Sequence, residues 1–187
     1  RIFYSFTHRL FCFDALTGAP VFDFGEKGSI DMHDGLGKAA DSLFVMANTP
    51  GIIFKNLIIM GSRVSEGPDA APGHIRAYDV LSGKLVWVFH TIPHPGEAGY
   101  ETWPPDAWQK IGAANSWAGM SLDHGRGVVY IPTGSAAFDF YGGNRKGKNL
   151  YANCVLAIDA MTGKLKWHYQ TTHHDILDRD LPSPPVL

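Results

Sequence analysis

Cysteine is scarce in this chain. Cys12 and Cys154 are the only thiols, and each lies in a strand-like run just ahead of a turn. There a thiol reads as a small buried side chain rather than half of a disulfide or a metal ligand, and it does not fix the compartment. An excess of charge of one sign is missing too. A net charge of −2, with nine histidines counted as neutral, gives no reason to expect nucleic acid or an anionic membrane as partner. No apolar run approaches the ~20 residues that span a bilayer. No signal peptide precedes Arg1-Ile2-Phe3-Tyr4, which already reads as a strand interior. Pro182–Leu187 stops as a further strand begins, so both ends read as cut and the chain as an internal piece of a longer protein.

What is present is a repeated hairpin. FCFDALTGAPVFDF begins at Phe11, IRAYDVLSGKLVWVF at Ile75 and VLAIDAMTGKLKWHY at Val155. In each, Asp is followed four residues later by Gly and eight later by an aromatic: Asp14/Gly18/Phe22, Asp79/Gly83/Trp87, Asp159/Gly163/Trp167. The Asp binds nearby backbone N–H groups and the Gly takes a positive φ without steric cost. With 45% hydrophobic residues, 21 Gly and 12 Pro, the composition suits an all-β protein. The repeats predict a partial β-propeller, because one such blade hides its faces only against neighbours. Residues 1–187 are taken as part of one propeller domain, with blades ending near 24, 89 and 169.

Between the hairpins, Gly25–Asp41 reads as a Gly-rich loop. Leu43–Met46 and Ile52–Gly61 read as two strands joined at Asn48-Thr49-Pro50-Gly51, and Ser62–Gly73 as a polar loop. His90–Lys110, with four prolines, and Gly134–Asn149 are long excursions, and loops of that length usually carry function. Asn115–Asp123 and Gly127–Thr133 resume the strands, and His173-His174-Asp175 with Asp178 and Asp180 forms a polar knot after the last hairpin.

ETWPPDAW (101–108), ANSWAGMSLD (114–123), TGSAAFDFYGGNR (133–145), the third hairpin and HHDILDRDLPSPP (173–185) resemble the quinoprotein dehydrogenases that use pyrroloquinoline quinone (PQQ), closest to their glucose dehydrogenase-like branch. The resemblance covers nearly the whole chain. It implies about three blades of an eight-bladed propeller, with PQQ and a divalent metal, Ca²⁺ or Mg²⁺, on its axis. It also implies oxidation of a sugar or alcohol hydroxyl, a quinone or cytochrome as electron acceptor, and a periplasmic setting, soluble or facing the periplasm from an inner-membrane anchor.

Residue by residue, the resemblance implies that Trp117 forms the floor under the PQQ ring, where a planar indole stacks on a flat quinone. Glu66 falls at the carboxylate metal ligand, a hard donor for a hard cation. Arg63 suits a PQQ carboxylate, its other reading being a surface arginine. Ser135 stands where alcohol-oxidising relatives place a metal-binding Asn; Asp139 and Asn149 are the nearest side-chain oxygens downstream. Asp178 matches the catalytic aspartate and a metal-side position: a substrate losing hydride from its carbinol carbon must also give up its hydroxyl proton. Asp175 and Asp180 are next in line for that base. His173 and His174, read as strand neighbours, would face opposite ways, so only one can turn to the axis. One is expected to bond Asp178, a substrate oxygen or backbone, with His174 assigned to the cofactor side. No second His/Cys cluster at zinc spacing completes a tetrahedral site with them.

Two readings therefore stand: a PQQ-dependent dehydrogenase, or a non-catalytic PQQ-like propeller scaffold of the outer-membrane assembly type, which shares the hairpins but needs no axial residues. Glu66, Trp117 and Asp178 together favour the enzyme. This piece alone is expected to be inactive, since a partial propeller exposes blade edges and half a cofactor site.

Overall fold

The computed structural model describes residues 1–37 and 40–187. Strands and connections account for nearly all of it. The helical pieces include a 3₁₀ turn at Tyr100–Thr102 and a single-turn helix, α1, at Ala107–Lys110. Among the described residues no helix is long and apolar enough to cross a membrane.

The three hairpins form because their turns satisfy themselves locally. In each, one Asp carboxylate oxygen accepts two backbone N–H groups and a hydroxyl: Leu16, Thr17 and the Thr17 hydroxyl on Asp14; Leu81, Ser82 and the Ser82 hydroxyl on Asp79; Met161, Thr162 and the Thr162 hydroxyl on Asp159. The fifth residue is a glycine at φ 72°, 73° and 70°, the left-handed region that favours glycine. Hydrogen bonds from the turn N–H groups hold the Asp14 and Asp79 carboxyls below their ordinary range.

Each hairpin belongs to its own antiparallel sheet. The first holds β1 (Ile2–Phe6), β2 (Arg9–Phe13) and β3 (Ser29–Asp31). After a two-stranded ribbon, the second sheet runs β5 (Ile52–Phe54), β6 (Leu57–Met60), β8 (Ile75–Asp79), β9 (Leu85–Phe89). The third runs β10 (Ser121–Asp123), β11 (Val128–Pro132), β12 (Cys154–Asp159), β13 (Leu165–Gln170). The ribbon pairs β4 (Val45–Met46) with β7 (Arg63–Val64). The chain is all-β, a partial β-propeller of about three blades.

Trp87 and Trp167 hold equivalent register positions, opposite Ala77 and Ala157, each beside a bulge. Sheets join by seating the turn of one on the outer edge of the sheet before it. Gly25 N–H donates to Ser82 O (2.9 Å), and Trp87 Nε1 donates to Ala160 O (3.3 Å). One apolar core, with Phe24, Met32, Met60 and Tyr78, lies between the first two sheets; another, with Ile59, Trp87, Val129 and Leu156, lies between the second and third.

The first hairpin departs from its sequence pattern. Its outer strand keeps only the Phe13–Pro20 bridge, breaks, and resumes as β3 opposite Arg9–Phe11, beyond Phe24. Proline supplies no N–H for the ladder, and the interruption leaves Phe22 exposed while Phe24 is the buried ring. Ile52–Gly61 is two strands with a Lys55-Asn56 turn, not one. Val45–Met46 pairs with Arg63–Val64 from the supposed polar loop, not with the strand that follows it in sequence.

Because strands alternate in direction, the two ends of the sheets differ. In the second and third sheets the short turns, at 55–56, 80–84, 124–127 and 160–164, share one end. Connections 61–74, 90–120 and 133–153 and the segment after β13 gather at the other.

Candidate active site

At the loop-bearing end lies a cavity of about 530 Å³. The 61–74 connection contributes Arg63 and Glu66; the approach to β10 contributes Asn115 and Trp117; the 133–153 connection contributes Ser135 and Asp139; the segment after β13 contributes Asp178 and Asp180. Trp117 and Asp178, distant in sequence, thus line one cavity, and so do Glu66 and Ser135. Trp117 lies in an irregular stretch before β10 rather than at a strand start.

The floor is anchored by Asp180. One of its carboxylate oxygens accepts Trp117 Nε1–H (2.6 Å) and the other accepts Ser135 N–H (2.6 Å). Gly134 leaves room for this carboxylate: a Cβ there would lie 2.5 Å from both its oxygens. Asn115 Nδ2 donates to Ser62 O (2.8 Å), tying the tryptophan's approach to the 61–74 connection.

Asp175 is a scaffold for the same segment. It is buried and accepts the Ser135 hydroxyl (2.7 Å), Arg179 N–H (2.6 Å), Leu177 N–H (3.2 Å) and Asn153 Nδ2 (3.2 Å). Burial works to raise this carboxyl, and those hydrogen bonds bring it below its ordinary range. The Ser135 hydroxyl is thereby engaged, since it also accepts Asn153 Nδ2 (3.0 Å). Asn149 is buried away from the cavity, its side chain bonded to Arg145.

His174 is not among the cavity-lining residues, against the cofactor-side assignment. It lies in a loop beyond β13, at φ 48°, so the opposite-face rule for strands does not apply to it and His173. Its Nδ1 meets Gly147 O at 3.0 Å, with the ring against Gly142. Arg63 is exposed at the cavity mouth, its guanidinium 6.0 Å from the Phe44 ring centre.

The electrostatics are one-sided. Glu66, Asp139, Asp178 and Asp180 face a cavity whose only cationic lining side chain among the described residues is Arg63. Burial pushes the Asp139 carboxyl up to about 7, and the charges of Asp178, Asp180 and Glu66 push the same way. Asp178 is raised as well, first by loss of water and then by Asp180, Glu66 and Asp175. Crowded carboxylates of this kind are the oxygen donors that a hard divalent cation takes, and such a cation would relieve their repulsion. An indole and a guanidinium beside them suit a flat, polyanionic ring system. The residues present therefore fit PQQ with a divalent metal.

Two contributors escape sequence reading. Arg145 is buried and donates to Phe138 O (2.9 Å), Asn149 Oδ1 (2.9 Å) and Asp175 O, binding the 133–153 connection to the segment that carries Asp178. In Gly-Gly-Asn-Arg-Lys-Gly-Lys it has the look of a surface base, and no local signal marks it. Asp180 is one of three nearby aspartates, and nothing local shows that it holds the tryptophan.

Comparison with known proteins agrees with this geometry. The family model described as "PQQ: Glucose/ethanol/alcohol dehydrogenase, beta-propeller domain" matches residues 1–187. Quinate/shikimate dehydrogenase (quinone) of Acinetobacter baylyi is 40% identical over 182 residues, 96% of this chain and 22% of the relative. Quinoprotein glucose dehydrogenase A of Acinetobacter calcoaceticus is 38% identical over 183 residues, with the same shares. The crystal structure of quinohemoprotein alcohol dehydrogenase from Comamonas testosteroni superimposes with a TM-score of 0.76 at 28% identity, covering 95% of this chain and 27% of that one. The chain thus spans about a fifth to a quarter of the length of these relatives. With blades, cavity and match in agreement over its whole length, it belongs to the β-propeller domain family of the PQQ glucose, ethanol and alcohol dehydrogenases.

Proposed function

We propose that this chain forms the cofactor-facing part of a PQQ-dependent dehydrogenase that oxidises a CH–OH group of a sugar, alcohol or related polyol. The observation that carries the reading is the convergence of Trp117, Glu66, Asp139, Asp178 and Asp180 on one cavity from separate connections. A scaffold propeller has no use for that convergence. The volume lies within the ~300–1,000 Å³ of small-molecule sites.

When bound, PQQ supplies the two-electron acceptor and a divalent cation such as Ca²⁺ or Mg²⁺ polarises its carbonyl. The chain's own residues do the rest. Trp117, held at its ring nitrogen by Asp180, presents a fixed indole face that would stack on the cofactor ring. Arg63 at the mouth would meet an anionic group of the cofactor. Glu66 and Asp178, with Asp139 and Asp180 beside them, would hold the cation; Ser135 contributes its backbone to Asp180 rather than a free hydroxyl. Asp178, a carboxylate at the cavity, would take the substrate hydroxyl proton. Electrons pass on to a quinone or cytochrome, on the periplasmic side of the cell.

The test uses the full-length protein that contains this chain, stripped of metal and reconstituted with PQQ and Ca²⁺, then assayed on sugars, alcohols and cyclic polyols. Asp178→Asn preserves shape and removes the base, so PQQ binding should persist while kcat falls by at least ~10²-fold. Trp117→Ala should weaken PQQ binding instead. Near-normal turnover in Asp178→Asn would reassign the base, with Asp180 the next candidate at the cavity.

A further inference from the structure

A second polar cluster stands apart from the carboxylate cavity. His74 closes the 61–74 connection at the head of β8, and His90 and His94 open the 90–120 connection as the chain leaves β9. Their potential ligand nitrogens all lie within 4.8 Å of one another. Nothing in the spacing 74, 90, 94 resembles a zinc motif; the antiparallel pairing of β8 with β9, Ile75 opposite Phe89, is what brings His74 beside His90.

Several features prepare these rings. His90 Nδ1 meets Glu97 Oε1 at 2.8 Å, and the other Glu97 oxygen accepts His94 N–H at 2.7 Å. A carboxylate behind a ligand imidazole sets its tautomer and makes the remaining nitrogen more basic, the usual outer-shell arrangement at metal sites. Here it leaves His90 Nε2 with a free lone pair. The His90 and His94 rings lie nearly parallel, centroids 3.8 Å apart, and the His74 centroid is 4.7 Å from that of His90. His74 is buried. Thr91 N–H approaches His74 Nδ1 at 3.2 Å, a long contact with which a cation at that ring competes. The Thr91 hydroxyl is buried with no hydrogen-bond partner among the described residues. Asp34 and Asp41 line the same cleft.

We propose that His74, His90 and His94 form a binding site for a borderline divalent cation of the Zn²⁺ class, the remaining coordination being open to water or an external donor. Three imidazole nitrogens select a softer ion than the all-oxygen cavity does, so the two sites take different metals. Ligand nitrogens around such an ion stand about 3.4 Å apart at bond lengths of about 2.1 Å. His90 and His94, half-buried and carried on a connection rather than a strand, must turn out of their parallel stack as well as close the last ångström or so for both lone pairs to meet one ion. The ion would pin the 90–120 connection, which leads to Trp117, onto the head of β8.

The experiment uses the full-length protein, treated with chelator and then saturated with Ca²⁺ so that the carboxylate cavity is filled. Zn²⁺ is added against a chromophoric competitor. One tight equivalent is expected in the wild type. His94→Gln should weaken it by at least ~100-fold and Glu97→Gln by ~10–100-fold, the range for losing an outer-shell carboxylate. His124→Gln, on an exposed turn, should leave it unchanged. Should His94→Gln misfold, crystals of the wild type soaked in Zn²⁺ decide the matter by anomalous scattering, with a peak expected among the three rings. No Zn²⁺ uptake above Ca²⁺ saturation, uptake indifferent to both variants, or a peak elsewhere would overturn the proposal.

Discussion

At the scale of single residues, Asp139 is the clearest case of a side chain whose chemistry depends on its surroundings. Its carboxyl, 3.8 in the reference state, rises to about 7 in the folded chain, through burial first and the carboxylates around it second. A group with a raised folded value keeps its proton in the native state while the unfolded chain ionises. Without a cation the native state therefore loses stability as pH climbs from about 4 to about 7, and no more above that. Asp139→Asn removes the penalty. In chelator-treated full-length protein its Tm should exceed that of the wild type most at pH 8, with the gain shrinking steadily towards pH 4. A Tm difference that is constant with pH would show that Asp139 does not carry this charge strain. Burial first and the same crowding second raise Asp178, while its neighbour Asp180, held by Trp117 and Ser135, is the positioning carboxylate.

At the scale of elements, the Asp–Gly turns both close a hairpin and seat one sheet on the next. Gly163 and Gly18 share the left-handed backbone, at φ 70° and 72°. A Cβ on Gly18 would meet nothing within 4 Å, whereas one on Gly163 would lie 2.7 Å from the Trp87 ring. Both substitutions to Ala incur the backbone strain of about 1–3 kcal/mol. Gly163→Ala should cost more than Gly18→Ala, because it also pries the third sheet from the second. Thermal unfolding of the two variants in the full-length protein measures this; equal losses would mean that the contact is not a seam. The turn chemistry was readable in all three hairpins because it is local: one carboxylate, two N–H groups and a glycine within five residues. The broken outer strand of the first hairpin was less readable, since an aromatic at the expected step, Phe22, masked the consequence of Pro20.

For the whole molecule, repetition has a cost at its flanks. Trp87 is 8% exposed because the Gly163 turn covers it; its equivalent on β13, Trp167, is 48% exposed, with no following sheet in this chain to cover it. On the opposite flank Ile2, Tyr4 and Phe6 project from β1. Open sheet edges with apolar side chains invite association. Expressed alone, residues 1–187 should self-associate and show no PQQ-linked turnover, as read by sedimentation and a dye-reduction assay with PQQ and Ca²⁺. An active monomer would contradict the view that the site is completed by further blades.

Residue order determined the class of this protein by itself. The hairpin turns are short-range chemistry and recur three times, and the motifs around Trp117 and Asp178 carry their family in sequence. Tertiary structure decided which loop residues meet. His174 adjoins the aspartates in sequence yet turns back against Gly142 and Gly147. Asp139, one oxygen among several downstream of Trp117, faces the cavity with Glu66. Arg145 and Asp175 lie hidden beneath as supports, and His74 finds His90 and His94 across a strand pair. The reason is geometric. A turn needs only its own five residues, whereas a site at the loop-bearing end of a propeller is assembled from connections whose ends meet only after the sheets have packed side by side.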